Sequence, residues 1–290
     1  MRGSRAYQNY LLHRFQIIPL TLLVVSDVIV ITRMIDLDST SLLPSFLVFL
    51  FIMLYLFGNR VGDDKRDFDF DAEFYPDRAV QKGAITLNQL ERLSQICIVG
   101  MAGIAIFFGW YSMLLVGPVI LFSWWAKKDF SLPIYFKDKF FFQYNILNML
   151  QMLALQIFVY AAALGSLEIS LPIWTHVAFV FALSLQIEVT RKIKVNRSPG
   201  NDMYSDRLGM KGALILWGFI GLMCVTLSSI LMNMLGVALL WVLVLGGTWT
   251  AVMLLGAMAY GISKKESLEN LFWAATIGVY IGQNIAIAYA

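Results

Sequence analysis

Between Asn59 and Ile85 the chain reads NRVGDDKRDFDFDAEFYPDRAVQKGAI, and within it Asn59, Asp63, Asp67 and Asp71 recur every fourth residue. At that interval side chains stack along one slowly drifting face of a helix. Like charges so placed destabilise a helix by about 0.2–0.5 kcal/mol per pair, so the stripe calls for a cation. Carboxylate and amide oxygens are hard ligands, suited to magnesium, which keeps several waters and shares its remaining positions with substrate phosphates. Asp64 and Asp69 fall off the stripe and are expected to be solvated or ion-paired, while Asp71 extends it with a secondary role.

A second segment, EVTRKIKVNRSPGNDMYSDRLG from Glu188 to Gly209, repeats the interval at Asp202 and Asp206, after a Pro-Gly turn suited to helix entry. Arg78, Lys139, Arg191 and Lys192 are available to neutralise phosphate oxygens. Either ladder alone reads equally well as a solvated acidic face. Their occurrence on the same side of a membrane favours a divided site.

The elements that must position these residues are apolar. Of 290 residues 59% are hydrophobic and 14% charged, and the mean hydropathy is +0.71. Soluble domains carry roughly a quarter charged residues, so the chain is expected to be an integral membrane protein among lipids, with no nucleic-acid partner. Spans are expected near Phe15–Thr32, Leu42–Phe57, Ser94–Tyr111, Met113–Trp125, Phe140–Leu164, Ile173–Val189, Gly212–Met232, Val237–Tyr260 and Leu271–Tyr289. The fourth is short. Retaining it places every Lys and Arg except Arg33 on one side, and cytoplasmic loops carry these residues. The fold class expected is therefore all-α: nine transmembrane helices with two Asp-rich cytoplasmic loops (59–85 and 188–209) in a single domain over residues 1–290. The N-terminus is cytoplasmic and the C-terminus opposite.

Cys97 and Cys224 fall in apolar runs, which argues against a disulfide framework or a thiolate zinc site. The opening Met-Arg-Gly-Ser lacks the apolar core and small-residue cleavage site of a signal peptide, and none is expected. Asn145, Asn148 and Gln151 recur at three-residue intervals, either lining a cavity or bonding between helices. Asp27 lies deep in the first span, where an ionisable group is costly. It is too far from the cytoplasmic end for metal binding. His176 is expected at the membrane interface.

On these residues the chain resembles the UbiA superfamily of intramembrane prenyltransferases. That family's NxxxDxxxD is matched by Asn59, Asp63 and Asp67, and its DxxxD by Asp202 and Asp206. Pro76-Asp77-Arg78-Ala79-Val80-Gln81-Lys82-Gly83 is similar to its Arg-Pro, spacer and Gly segment, with Ala79 in place of the proline. Tyr135–Lys139 is similar to its YxxxK, and Arg14 resembles its basic entry to the first helix. Asn59 is followed by Arg60, where the family commonly has Asp.

The resemblance implies a nine-helix bundle around a central cavity and an allylic prenyl diphosphate substrate. It implies two Mg2+ ions, one held by Asn59, Asp63 and Asp67 and the other by Asp202 and Asp206. Arg78, Lys139, Arg191 and Lys192 would bind the diphosphate. The reaction implied is prenyl transfer to an aromatic or other lipid-soluble acceptor; the alternative is a terpene cyclase, which needs no acceptor. A CDP-alcohol phosphotransferase would need a DGxxAR motif that does not precede Asp63, and a transporter would show a repeat relating two halves.

Overall fold

Apolar runs bounded by Gly, Pro and capping residues become helices throughout. The computed structural model describes residues 2–35, 42–196, 203–263, 265 and 268–290, among which there is no strand. In chain order the helices are α1 (Arg2–Asn9), a π-helical turn (Tyr10–Arg14), α2 (Ile17–Met34), α3 (Leu43–Arg66), α4 (Phe68–Phe74), α5 (Leu87–Phe107), α6 (Trp110–Ala126), α7 (Ile134–Lys139), α8 (Phe141–Leu164), α9 (Leu171–Arg191), α10 (Tyr204–Met234), α11 (Leu239–Ser263) and α12 (Glu269–Ala288). Eight of these, α2, α3, α5 and α8 to α12, are long and apolar enough to cross a membrane. α6 is apolar but has only 17 residues. Ile96, Val99, Ile215, Phe219, Leu240 and Leu243 stand exposed along these helices, a surface matched to lipid rather than water.

Local signals set the boundaries. Thr86 and Gln89 form a capping box that starts α5, satisfying backbone donors at the helix entry. Gly109, at φ 98°, separates α5 from α6, so Trp110 and Tyr111 begin α6 instead of closing the preceding span. The larger difference lies in the first acidic stretch, expected as a loop. α3 continues through it to Arg66 and α4 carries the helix on to Phe74. The i,i+4 ion pair of Arg60 with Asp64 supports that extension.

The chain forms two compact units. The first comprises Met1–Val28, Ile35–Leu132 and Phe158–Leu167; the second comprises Ile29–Met34, Pro133–Ile157 and Glu168–Ala290. In the first, α3 packs on α5 and α5 on α6. At the polar end of α3, Tyr10 and Phe15 join Val61, Val80, Ile85 and Leu90 in one buried cluster, which fixes the N-terminal segment against the acidic stretch.

In the second unit, α10 packs on α9, α11 and α12. Gly221 of α10 permits a close approach: a Cβ there would lie 2.5 Å from Gln186 Nε2 and 3.0 Å from Met253 Sδ. His176, expected at the membrane interface, is instead fully buried in α9, with its ring centroid 6.0 Å from that of Phe179. Its position along α9 is near the end, but its face of the helix is the packed one.

Candidate functional site

The cation demanded by the first stripe is supplied by a side chain. Arg66, in the last turn of α3, lies 3.1 Å from Asp63 Oδ1. Its Nε and Nη2 donate to the two oxygens of Asp67 at 2.9 and 3.1 Å. Its Nε also lies 3.7 Å from Asp129 Oδ1. Asp67 ends α3 and precedes α4, so its carboxylate and that of Asp63 close on one point. Among the described residues no three His, Cys, Asp or Glu side chains form a ready metal cage. The donors nonetheless fit magnesium, which takes one or two carboxylates together with phosphates and waters: both are hard oxygen groups, and both already converge on a positive charge.

Asp64 and Asp71, off the stripe or at its end, are the buried members of the stretch, whereas Asp69 is exposed. Asp64 accepts a hydrogen bond from Tyr10 Oη at 2.6 Å and pairs with Arg60 and Arg14, each at 2.6 Å. Arg14 also reaches Asp71 at 2.7 Å. Arg78, expected at phosphate, pairs with Asp71 and lies 3.9 Å above the Tyr75 ring. Burial lowers the Arg14 pKa, and the neighbouring Arg60 charge lowers it further. Burial likewise raises that of Tyr10, with the Asp64 charge adding to it. Three arginines and a phenol thus hold two carboxylates that are distinct from Asp63 and Asp67.

Three residues at the end of α6 carry no signal in the sequence. Ser123 of α6 donates a hydrogen bond to Asn59 Oδ1. Lys127 lays its stem across Gly62, where a Cβ would stand 2.4 Å from Lys127 Cδ. Burial lowers the Lys127 pKa, partly offset by the nearby Asp63 charge. Asp129 is the third. All three lie at or just past the end of α6, and no local pattern ties that turn to α3.

The second unit carries the other acidic segment. Asp206 lies in the first turn of α10, which bends at Gly209; Asp202 lies outside the described residues. The segment is anchored by Tyr204 N to Lys192 O at 2.9 Å and Lys194 N to Ser205 Oγ at 3.0 Å. Glu269 accepts from Lys194 Nζ at 2.6 Å and from Tyr260 Oη at 3.1 Å. Arg191 and Lys192, the expected phosphate contacts, pair with the buried Glu188 at 2.7 and 2.8 Å. Lys192 also donates to Asn145 Oδ1 at 2.7 Å.

Of the residues expected to line a cavity, Asn145 and Gln151 are buried. Asn145 Nδ2 donates to Phe141 O at 2.8 Å, and Gln151 donates to Asn148 Oδ1 at 2.7 Å. Lys139 is exposed, 5.4 Å from the Phe140 ring. Asp27 is buried in α2.

Comparison with known proteins places these observations in a family. The model of the UbiA prenyltransferase family matches residues 29–278. A UbiA homologue from Aeropyrum pernix K1, solved in its apo form, is similar with a TM-score of 0.66 and 17% identity, covering 93% of this chain and 98% of the other. A digeranylgeranylglyceryl phosphate synthase structure is similar with a TM-score of 0.63 and 16% identity, covering 100% and 98%. A comparison with curated proteins gave no match. The family match spans most of the nine apolar segments and both acidic stretches, and the chain belongs to the UbiA prenyltransferase family.

Proposed function

We propose that this protein is a magnesium-dependent intramembrane prenyltransferase, ionising an allylic prenyl diphosphate and joining the prenyl group to an aromatic or other lipid-soluble acceptor. The observation that carries this reading is the convergence of Asp63 and Asp67 on one cation, Arg66, in a member of a prenyltransferase family. Asn59, Asp63 and Asp67 would hold one ion, and Asp202 and Asp206 a second. Bound magnesium would supply Lewis-acid neutralisation of the departing diphosphate.

The chain's own groups do the rest. Arg78, Lys139, Arg191 and Lys192 donate to phosphate oxygens; an arginine that pairs with one carboxylate retains further N–H donors for another anion. Stabilisation aimed at a leaving group is commonly the largest catalytic contribution. The allylic C–O bond breaks with its electron pair leaving on the diphosphate. The acceptor then donates an electron pair to the allylic carbon and loses a proton. Apolar helices exclude water from that cation, and aromatic faces stabilise it. In this reading nine helices cross the membrane, with α6 the short one. The N-terminus and both acidic segments are cytoplasmic, and the C-terminus lies on the opposite side.

Purified protein incubated with allylic diphosphates, with and without lipid-soluble acceptors, tests the reading. A prenylated acceptor that disappears with EDTA and returns with magnesium supports it. A cyclic hydrocarbon or alcohol formed from the diphosphate alone would replace the transferase reading by a cyclase.

A further inference from the structure

We propose that Arg66 is the resident counter-ion of the first acidic motif and that Asp129 receives its guanidinium when a divalent cation takes its place. The inference rests on the reading of Asp63 and Asp67 as metal ligands. Arg66 occupies both oxygens of Asp67 and one of Asp63. A metal ion about 2 Å from those oxygens and a guanidinium donating to the same oxygens compete for their lone pairs and repel each other by charge. Arg66 therefore has to move, and an arginine displaced into a half-buried setting needs another anion.

Asp129 is that anion. Its Oδ1 already lies 3.7 Å from Arg66 Nε, just beyond hydrogen-bond length, so a small side-chain rotation converts a weak contact into a direct pair. Its placement is built into the backbone. Asp129, Phe130 and Ser131 all have positive φ, at 52°, 56° and 56°, a conformation that L-residues other than glycine avoid. Phe130 clamps the turn from below, buried with its ring 5.8 Å from Phe122 and 5.4 Å from Trp125. Ser131 N to Lys128 O at 2.9 Å and Leu132 N to Asp129 O at 3.0 Å close it. Asp129 is a positioning residue: it does not ligate the ion but lowers the cost of vacating Asp63 and Asp67.

The test is Mn2+ binding to the purified full chain, read from the electron paramagnetic resonance of free Mn2+, in the wild type, Asp63→Asn, Asp129→Asn, Arg66→Gln and Arg66→Gln/Asp129→Asn. Asparagine tolerates positive φ, so Asp129→Asn keeps the turn, and an unchanged melting temperature checks this. Asp129→Asn is expected to weaken Mn2+ binding about tenfold, the worth of one charged contact near 1.4 kcal/mol. Arg66→Gln is expected to tighten it. The double variant should match Arg66→Gln within about twofold, because Asp129 has nothing to receive once the guanidinium is gone. Binding lost in Asp63→Asn but unchanged in Asp129→Asn overturns this inference alone. So does a double variant weakened as much relative to Arg66→Gln as Asp129→Asn is relative to the wild type. No Mn2+ binding by the wild type overturns the metal reading and this one together.

Discussion

The stem of Lys127 lies flat on Gly62: a methyl group at position 62 would stand 2.4 Å from Cδ, 2.5 Å from Cγ and 2.7 Å from Cε. The obstructing atoms are the middle of the side chain, so moving its tip relieves nothing. Gly62→Ala is expected to destabilise the protein by about 1–3 kcal/mol, the usual cost of overpacking. Adding Lys127→Ala removes all three atoms and should restore much of the loss. Thermal unfolding of the two variants in detergent checks this, and equal melting temperatures for Gly62→Ala and the double variant would count against the contact.

Lys127 also sets a pH dependence. Burial holds its pKa below the ordinary 10.5, so between the lowered value and 10.5 the unfolded chain binds more protons than the folded one. Stability contributed by this group therefore rises with pH across that window. The wild type should gain stability relative to Lys127→Met as pH rises towards 10.5. Parallel unfolding curves for the two proteins across the window would contradict the burial of the ammonium.

Neighbouring carboxylates should separate into two classes. Asp64 and Asp71 are buried in ion pairs with Arg14, Arg60 and Arg78. Removing one partner of a buried pair costs about 3–5 kcal/mol, so Asp64→Asn should lower the melting temperature markedly. Asp63→Asn, whose side chain is 34% exposed, should leave it near the wild-type value. Similar melting temperatures for both would mean that the Arg14 network is not the anchor of this rim.

The contrast between Asp63 and Asp64 also shows how far local spacing reaches. The four-residue interval of Asn59, Asp63 and Asp67 was visible because it is a property of one helix, and so were the eight long apolar helices. Arg66 as the cation was not, since the pattern drew attention to the carboxylates and away from the residue between them. Asp129 and Ser123 come from the end of α6 and meet α3 only through packing. For Asp64 local spacing leaves solvation and ion pairing equally open, because its partners Tyr10 and Arg14 lie 54 and 50 residues earlier in the chain. Helix α3 running on to Arg66 follows from paired charges, which a reading by hydropathy treats as loop.

Joint action of both acidic motifs in ionising a prenyl diphosphate is the proposal on which the prenyltransferase reading stands. Its most direct test is magnesium-dependent pyrophosphate release by the purified protein across allylic diphosphates of increasing chain length, measured for the wild type, Asp63→Asn and Asp202→Asn. Release by the wild type and its loss in both variants is the predicted result; full release by either variant would contradict the account.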